Sequence, residues 1–297
     1  MNYKKIGFIG QGFVGGNLAD NYEGRGYKEM MVRYDLSPKY VGNKSEIRKC
    51  DLVFIAVPTP STPEGFDDSI LFNAIASTSP GTVIVIKSTV PPEIIRDVQY
   101  FYADRIIMLC PEFLTEATAR FDTDKPERNM IGIANIQVPE LIEKAQAVVD
   151  TLPVAPYNKI CTYEEASLAK YAGNCFFVLK NMFFNVLYDL AESYGADWET
   201  LHDMIIHDNR INQDHTNVLH KGGRGAGGHC LIKDFAAFNG MVKKHLPEDK
   251  LSKRLVDDIV KKNIDLLKAS GKDKDLLEGV YGVEESVIKK LLNLYIA

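Results

Sequence analysis

The chain has 297 residues, 45% of them hydrophobic and 25% charged, and its formal net charge is -5 at pH 7. This composition indicates a globular protein long enough for two domains. Because the sequence has no basic run or arginine-rich face, neither nucleic acid nor a membrane surface is expected as a partner. No apolar stretch approaches the length of a membrane span, and the amino terminus enters a strand at once, so a cytoplasmic protein is predicted.

The first half of the chain alternates short apolar strands with helical stretches. Residues 5–10 predict a strand, residues 13–22 a helix and residues 30–34 a second strand, which together form a βαβ unit. Further strands are predicted at residues 51–57, 82–86, 106–109 and 130–133, and a helix at residues 92–102. This alternation predicts an α/β fold with a Rossmann-type, doubly wound parallel sheet.

The pattern changes near Pro156, after which helical periods replace strands. Residues 164–193 predict one long helix, with Thr162 and Glu165 forming a capping box at its start. Residues 251–269 and 284–294 are also predicted to be helical. The sequence therefore predicts an NAD-binding Rossmann domain over residues 1–158 and an all-helical second domain over residues 159–297.

A glycine-rich turn follows the first predicted strand, where Gly10-Gln11-Gly12-Phe13-Val14-Gly15 matches GxGxxG. A lone match is weak evidence, but between a strand and a helix these glycines permit a tight turn and bring a pyrophosphate to the helix amino terminus. Asp35 ends the second strand, where its carboxylate would accept hydrogen bonds from ribose hydroxyls and repel a 2'-phosphate. NAD is therefore predicted as the cofactor, although Arg33 and Lys39 lie nearby.

The cysteines are odd in number and irregular in spacing, and the sequence contains no CxxC pair. This pattern is not typical of a disulfide framework or a zinc site. We predict free thiols and no metal site. The cysteines are Cys50, Cys110, Cys161, Cys175 and Cys230.

A second glycine-rich loop precedes Cys230, and Asp234 follows four residues later. If a helix starts at Cys230, its free amide groups favour a thiolate, and Asp234 faces the same way one turn on. This arrangement predicts a nucleophile. The alternative is a glycine loop before an ordinary helix that carries a small, buried cysteine.

Polar segments follow the carboxyl ends of three predicted strands, at the edge where ligands bind in an open α/β sheet. Lys170 and Asn174 lie four residues apart on the long helix and therefore share a face. The polar residues of the strand ends are expected to meet a bound nicotinamide. The segments are Val57-Pro58-Thr59-Pro60, Lys87-Ser88-Thr89-Val90-Pro91 and Cys110-Pro111-Glu112-Phe113-Leu114-Thr115-Glu116.

Together and in this order, VPTP, STVPP, PEFLTE, KYAGN and GAGGHCLIKD resemble the nucleotide-sugar 6-dehydrogenases, the family of UDP-glucose and GDP-mannose dehydrogenases. The resemblance covers the chain from Lys5 to about Lys262. It implies that a primary alcohol of a nucleotide sugar is oxidised to a carboxylate with two NAD, through an aldehyde and an enzyme-bound thioester. It also implies a homodimer formed through the helical domain.

The resemblance assigns roles position by position. It makes Cys230 the nucleophile, Lys170 and Asn174 the groups that steady the oxyanion, and Asp234 a base or water-orienting partner. Thr89 resembles a residue that positions water. Glu112 and Glu116 resemble glutamates for thioester hydrolysis and substrate contacts, and the resemblance does not divide these jobs between them.

The resemblance also implies two sets of binding residues. The substrate set includes an arginine that crosses the dimer interface, Arg210, together with Phe113, Leu114, Lys221 and Gly227. The cofactor set is Gly10, Gln11, Gly12, Phe13, Val14, Gly15, Asp35, Val57, Pro58, Thr59, Ser88, Thr89, Glu116 and Lys233.

A cysteine suits the second oxidation for a chemical reason. An aldehyde releases a hydride readily only after a tetrahedral adduct has formed, and attack by a thiolate supplies that adduct, which collapses to a thioester. A model thiol has a pKa of about 8.5, so a neighbouring ammonium such as that of Lys170 would raise the thiolate fraction and stabilise the alkoxide.

The sequence departs from the family pattern in two places. After Lys262 too few residues remain for the third, carboxy-terminal domain that family members usually have, and His229 and Leu231 replace the usual residues of the cysteine motif. Two alternatives therefore stay open. One is a two-electron 3-hydroxyacid dehydrogenase, which does not need Cys230, and the other is a non-catalytic nucleotide-binding protein.

Overall fold

The computed structural model describes residues 3–282. The chain divides into two compact units. The first unit comprises the residues up to Thr59 together with Asp67–Lys170, and the second comprises Pro60–Phe66 and the residues from Tyr171 on. The predicted domain boundary after residue 158 stays a prediction, and the helix predicted at residues 284–294 lies outside the described residues.

The strands agree closely with the apolar runs of the sequence. In chain order they are β1 (Ile6–Ile9), β2 (Met31–Tyr34), β3 (Leu52–Ile55), β4 (Ser61–Thr62), β5 (Gly65–Phe66), β6 (Val83–Ile86), β7 (Ile106–Leu109), β8 (Arg128–Ile133) and β9 (Tyr157–Thr162).

Seven of these strands form one sheet in the first unit, in the order β2-β1-β3-β6-β7-β8-β9. The first five strands of that order are parallel, as the alternation of strands and helices predicts. Chain order reverses between β1 and β3, and a doubly wound sheet binds its ligands at such a switch point. The predicted fold class is confirmed.

Two details of the sheet differ from the sequence prediction. β8 pairs with β7 in the antiparallel direction, so the sheet is mixed rather than wholly parallel. β9 was not predicted, because strands were expected to stop near Pro156. It is an edge strand whose first three residues are exposed, so its sequence lacks the apolar run of a buried strand.

The helices complete both units. In chain order they are α1 (Phe13–Tyr22), α2 (Lys44–Ile47), α3 (Ser69–Ala76), α4 (Pro92–Phe101), α5 (Ala119–Asp124), α6 (Pro139–Val149), α7 (Tyr163–Ser193), α8 (Trp198–Ile206), α9 (His229–His245), α10 (Lys250–Ala269) and α11 (Lys274–Tyr281).

The predicted capping box at the start of α7 is present. The Glu165 carboxylate accepts a hydrogen bond from the Thr162 backbone N–H at 2.7 Å, and the Thr162 hydroxyl accepts one from the Glu165 N–H at 3.3 Å. These bonds satisfy two amide groups that the first turn of a helix leaves without a partner. The start of α7 is therefore fixed by local sequence.

Each unit has its own core. In the first, Phe8 stacks on Phe54 at 5.4 Å and meets Tyr22 edge-on, which packs α1 on the sheet. In the second, α7, α9 and α10 contribute Val178, Phe235 and Val260 to one buried cluster. The second unit also contains the β4–β5 hairpin, which lies outside residues 159–297, the stretch predicted to be helical.

None of the helices within residues 3–282 is long and apolar enough to cross a membrane. The same residues contain no group of three or more histidine, cysteine or carboxylate side chains arranged to hold a metal ion.

Candidate functional site

The glycine-rich turn between β1 and α1 is shaped by close backbone approaches. Gly10 has a φ of +86°, and a Cβ atom there would lie 2.1 Å from the carbonyl oxygen of Ala56. A Cβ atom on Gly15 would lie 2.0 Å from the carbonyl oxygen of Gly10. Both glycines are therefore required by the protein's own packing, because a side chain would force the turn and α1 away from the sheet.

Gly12 is different, because a Cβ atom there would meet no protein atom within 4 Å. Gly12 is the N-cap of α1, and the exposed N–H groups of that helix end favour an anion. The packing of the protein does not demand glycine at this position, whereas the close approach of a pyrophosphate to the helix end does. This cradle fits the pyrophosphate of NAD.

We expect Gly12→Ala to weaken NAD binding by about tenfold, because the new methyl group occupies space that the pyrophosphate needs. Its free energy of unfolding should change by less than about 1 kcal/mol, the usual scale for an N-cap change. Gly15→Ala is the matched variant, and its clash should lower the free energy of unfolding by about 1–3 kcal/mol. Isothermal titration with NAD and urea unfolding measure both effects. An unchanged NAD affinity in Gly12→Ala would contradict this assignment.

Asp35 directly follows β2 and contacts the glycine-rich turn between β1 and α1. Its carboxylate accepts hydrogen bonds from the backbone N–H groups of Gln11 and Ser37, each at 2.9 Å. Partial burial by itself would raise the pKa of Asp35, but these two donors lower it below its ordinary value. Asp35 is therefore anionic at neutral pH, which suits ribose hydroxyls and disfavours a 2'-phosphate.

Arg33 is already paired with carboxylates and is therefore not available to bind a 2'-phosphate. Its guanidinium pairs with Asp20 at 2.6 Å and with Glu23 at 2.7 Å, and only 15% of its side chain is exposed. An arginine that already serves two carboxylates has little capacity left for a phosphate. This pairing favours NAD over NADP.

The ends of β3 and β6 are tied together by the polar residues of the predicted cofactor set. The Ser88 hydroxyl accepts a hydrogen bond from the Val57 N–H at 3.0 Å and donates one to the Val57 carbonyl at 2.7 Å. The buried Thr59 hydroxyl donates to the Thr89 carbonyl at 2.9 Å. The side chains of Ser88 and Thr59 thus fix the two strand ends, while Pro58 is exposed and Thr89 half-buried.

The segment after β7 carries Glu112, Phe113, Leu114 and Glu116. Glu112 is half-buried and accepts a hydrogen bond from the Phe113 N–H at 2.9 Å, whereas Glu116 is exposed. Two cations face the Phe113 ring: the Arg128 guanidinium at 4.0 Å and the Lys170 ammonium at 5.4 Å from its centre. Such contacts fix the ring in place. Lys170 is therefore positioned beside a predicted substrate residue.

Arg128 was not among the residues predicted from the sequence to lie at this site. It is the first residue of β8, and because β8 is antiparallel to β7, its start lies at the same sheet edge as the end of β7. In a wholly parallel sheet the start of that strand would lie at the opposite edge. The direction of β8 is the signal that would have identified Arg128.

In the second unit, Cys230 lies in the first turn of α9, which begins one residue earlier than predicted, at His229. All the cysteines are free, and only Cys230 is exposed. Burial raises the pKa of both Cys50 and Cys161 to about 11 and also raises the pKa of Cys110 and Cys175, so these four are neutral thiols. Cys230 is thus the exposed thiol among the five, and it lies at the amino terminus of a helix.

Asp234 follows Cys230 by one helical turn but is almost fully buried. Its carboxylate accepts a hydrogen bond from the Asn174 side-chain amide at 2.5 Å and pairs with the Lys233 ammonium at 2.5 Å. Asp234 thus contacts both of the predicted residues Asn174 and Lys233. The Asn174 amide is held in one orientation by a buried charge.

A residue in the turn between α10 and α11, Asp273, holds the glycine loop before Cys230 in place. The Asp273 carboxylate accepts a hydrogen bond from the Gly228 N–H at 2.8 Å, and a Cβ atom on Gly227 would lie 2.0 Å from the same carboxylate. Asp273 cannot be recognised as part of this loop from the sequence, since it lies 45 residues from Gly228 along the chain. The other predicted substrate residues, Arg210 and Lys221, are exposed, and Arg210 pairs with Asp208 at 2.6 Å.

A doubly wound sheet with a glycine cradle at its switch point and an anionic Asp35 beside it defines an NAD-binding protein. Residues 30–150 match the NAD binding domain of the UDP-glucose/GDP-mannose dehydrogenase family, and residues 164–263 match the central domain of that family. The chain belongs to the UDP-glucose/GDP-mannose dehydrogenase family.

Three relatives illustrate the similarity. The UDP-glucose 6-dehydrogenase of Rickettsia felis is 32% identical over 222 residues, which cover 71% of this chain and 48% of that protein. The structure of a UDP-glucose dehydrogenase from Pyrobaculum islandicum matches with a TM-score of 0.72 and 25% identity, over 88% of this chain and 68% of the other. The 3-hydroxyisobutyrate dehydrogenase of Mycobacterium tuberculosis has a TM-score of 0.67 over 89% of this chain and 95% of its own, but at 16% identity it shows the fold alone.

The chain spans about half the length of the curated relatives it matches. The family resemblance inferred from the sequence motifs is confirmed by these comparisons.

Proposed function

We propose that this chain performs the NAD-dependent oxidation of a nucleotide sugar of the UDP-glucose type, turning a primary alcohol into a carboxylate in two hydride transfers. The observation that carries the proposal is the exposed thiol of Cys230, one turn before the buried Asp234 that holds Asn174. This constellation occurs in a chain that matches both the NAD binding domain and the central domain of the family.

In the proposed reaction Cys230 acts as the nucleophile. Its sulfur adds to the carbon of the aldehyde produced by the first oxidation, so that a C–S bond forms and the negative charge moves to the oxygen. Lys170 and Asn174 stabilise that oxyanion, and loss of a second hydride from the carbon leaves a thioester on Cys230. Bound NAD supplies the hydride acceptor for each oxidation.

Water then hydrolyses the thioester and releases the carboxylate. We assign Thr89 to water positioning and Glu112 and Glu116 to hydrolysis and substrate contacts. Asp234 is buried and accepts hydrogen bonds from two side chains, which supports a role in orienting Asn174. Phe113, Leu114, Gly227 and Lys221 are the proposed substrate contacts, joined by Arg210 from a second subunit.

The test is the number of NADH formed per substrate molecule consumed. Purified protein is given NAD with UDP-glucose, GDP-mannose, other UDP-sugars or small 3-hydroxyacids, and both NADH and the acid product are measured. Two NADH per sugar and a carboxylate product support the proposal. One NADH from a hydroxyacid would support the two-electron alternative, and no NADH from any substrate would contradict the proposed activity.

We also propose that the chain forms a homodimer through the second unit. The side chains of Phe176, Leu179, Phe183, Val186 and Leu190 recur every three or four residues along α7, and each is at least 39% exposed. This repeat places them in one apolar stripe on the helix. The stripe borders a groove of about 610 Å³ whose other wall, on α10, contains Leu251 and Leu255. A second copy of this surface, packed against the first, would remove both from water.

We expect Phe183→Asp to convert the dimer into a monomer, because a carboxylate in the middle of the stripe cannot be buried without a partner. Tyr100→Asp is the control, since Tyr100 is also an exposed aromatic residue but lies on α4 in the first unit. Sedimentation velocity over a range of concentrations measures the state of assembly. A wild-type monomer, or a Phe183→Asp dimer as tight as the wild type, would contradict this interface.

A further inference from the structure

Lys87 is a buried lysine at the carboxyl end of β6, directly after Ile86. Only 5% of its side chain is exposed. Its ammonium lies 3.1 Å from the Glu112 carboxylate and 3.3 Å from the Cys110 sulfur. The three residues meet because β6 and β7 are neighbouring strands in register, with Ile86 opposite Leu109.

The electrostatic environment of Lys87 is set by its burial and by its two neighbours in this cluster. Burial by itself would lower the pKa of Lys87, but the Glu112 carboxylate beside it holds the pKa above its ordinary value. Burial raises the pKa of Cys110, so that side chain is a thiol. The charged contact is therefore an ion pair between the Lys87 ammonium and the Glu112 carboxylate.

This ion pair fixes the geometry of Glu112. One carboxylate oxygen faces the Lys87 ammonium, and the other accepts the Phe113 N–H at 2.9 Å. Two donors on opposite oxygens hold the plane of the carboxylate and leave lone pairs for a water molecule. By contrast, Glu116, which lies four residues further along the chain, is exposed to solvent.

We propose that Lys87 is a positioning residue that holds Glu112 for hydrolysis of the Cys230 thioester. The inference rests on the function proposed above. In the step concerned, water oxygen bonds to the thioester carbon, one water proton passes to Glu112, and the C–S bond breaks. The Cys230 sulfur leaves as a thiolate, and the acid product loses its remaining proton to solvent. Lys87 touches neither the water nor the substrate and acts through the carboxylate alone.

The test uses Lys87→Met, Glu112→Gln and the double variant in the full chain. In Lys87→Met we expect the first two NADH per subunit to form as a burst at close to the wild-type rate, because the oxidations do not need Glu112. Steady-state turnover should then fall by about 10²-fold, as expected when a reacting group is misplaced. Mass spectrometry of the Cys230 peptide should show the acyl group accumulating.

The double variant separates positioning from simple loss of structure. If Lys87 acts only through Glu112, the steady-state turnover of the double variant should be less than about twofold lower than that of Glu112→Gln alone. If the losses of turnover in the two single variants multiply in the double variant, the proposal is overturned and a structural role is indicated. A slower burst or weaker NAD binding in Lys87→Met would lead to the same conclusion. The double variant also removes both charges, so it keeps the test valid if Glu112 without its partner destabilises Lys87→Met.

Lys5→Met is the matched control. Lys5 pairs with Glu46 at 2.9 Å in the same unit, but it lies at the amino-terminal end of β1, the edge opposite the strand ends that carry Glu112. It should keep wild-type turnover and show no acyl-enzyme, and the same stall in Lys5→Met would overturn the proposal. Failure of the wild type to form any NADH would instead contradict the proposed function, so the two failures are distinguishable.

Discussion

Replacement of Cys230 by alanine is expected to abolish carboxylate formation, with a loss of at least about 10³-fold in turnover to the acid. The thiol is the only proposed group that can form the adduct from which the second hydride leaves. NAD affinity should change by less than about twofold, because the glycine cradle and Asp35 belong to the first unit and Cys230 to the second. Chromatography of the sugar product and a fluorescence titration with NAD measure the two effects.

The other cysteines provide an internal control for this prediction. Iodoacetamide added to the folded protein should label Cys230 first, because Cys50, Cys110, Cys161 and Cys175 are buried. The labelled protein should lose acid formation in proportion to the fraction of Cys230 modified. Equal acid yields from Cys230→Ala and the wild type would remove this residue from the mechanism.

Replacement of Asp234 by alanine is expected to reduce both stability and activity. Asn174 and Lys233 would each lose a hydrogen bond in a largely buried setting, which should lower the free energy of unfolding by about 2 kcal/mol. The Asn174 amide would also lose its fixed orientation, so formation of the acid should fall by about 10²-fold. Urea unfolding and the rate of NADH formation measure these effects.

Asp257 offers a closely matched control within the same unit. It too binds an asparagine and a lysine, with Asn239 at 2.9 Å and Lys243 at 2.7 Å, but its side chain is 34% exposed. Asp257→Ala should cost about 1 kcal/mol or less and leave turnover unchanged, since exposed ion pairs contribute little. A loss of turnover as large as that of Asp234→Ala would show that Asp234 has no special role.

The sequence predicted those features that depend on residues close together in the chain. The turn that contains Gly10 and Gly15, the capping box of Thr162 and Glu165, and the helix that begins beside Cys230 all appear as predicted. Each is a local structure, in which hydrogen bonds or steric limits act over a few residues. The alternation of apolar runs was also sufficient to predict the class of sheet.

Prediction failed where a structure depends on pairing between distant segments. β9 was missed because an exposed edge strand needs no apolar run, and its conformation is set by hydrogen bonds to β8. The direction of β8 was also beyond reach, since alternating patterns do not record whether a strand runs parallel or antiparallel. That direction brings Arg128 to the same edge as Phe113.

Local sequence was enough to predict a dinucleotide turn, an anionic residue after the second strand and a cysteine at the start of a helix. Which polar groups meet is visible only in the folded chain: Lys87 with Glu112, Asn174 with Asp234, and Asp273 with the loop before Cys230. These ionic and polar contacts join residues that lie 25 to 60 positions apart in the chain. Strand order and helix packing bring them together, and no local pattern specifies them.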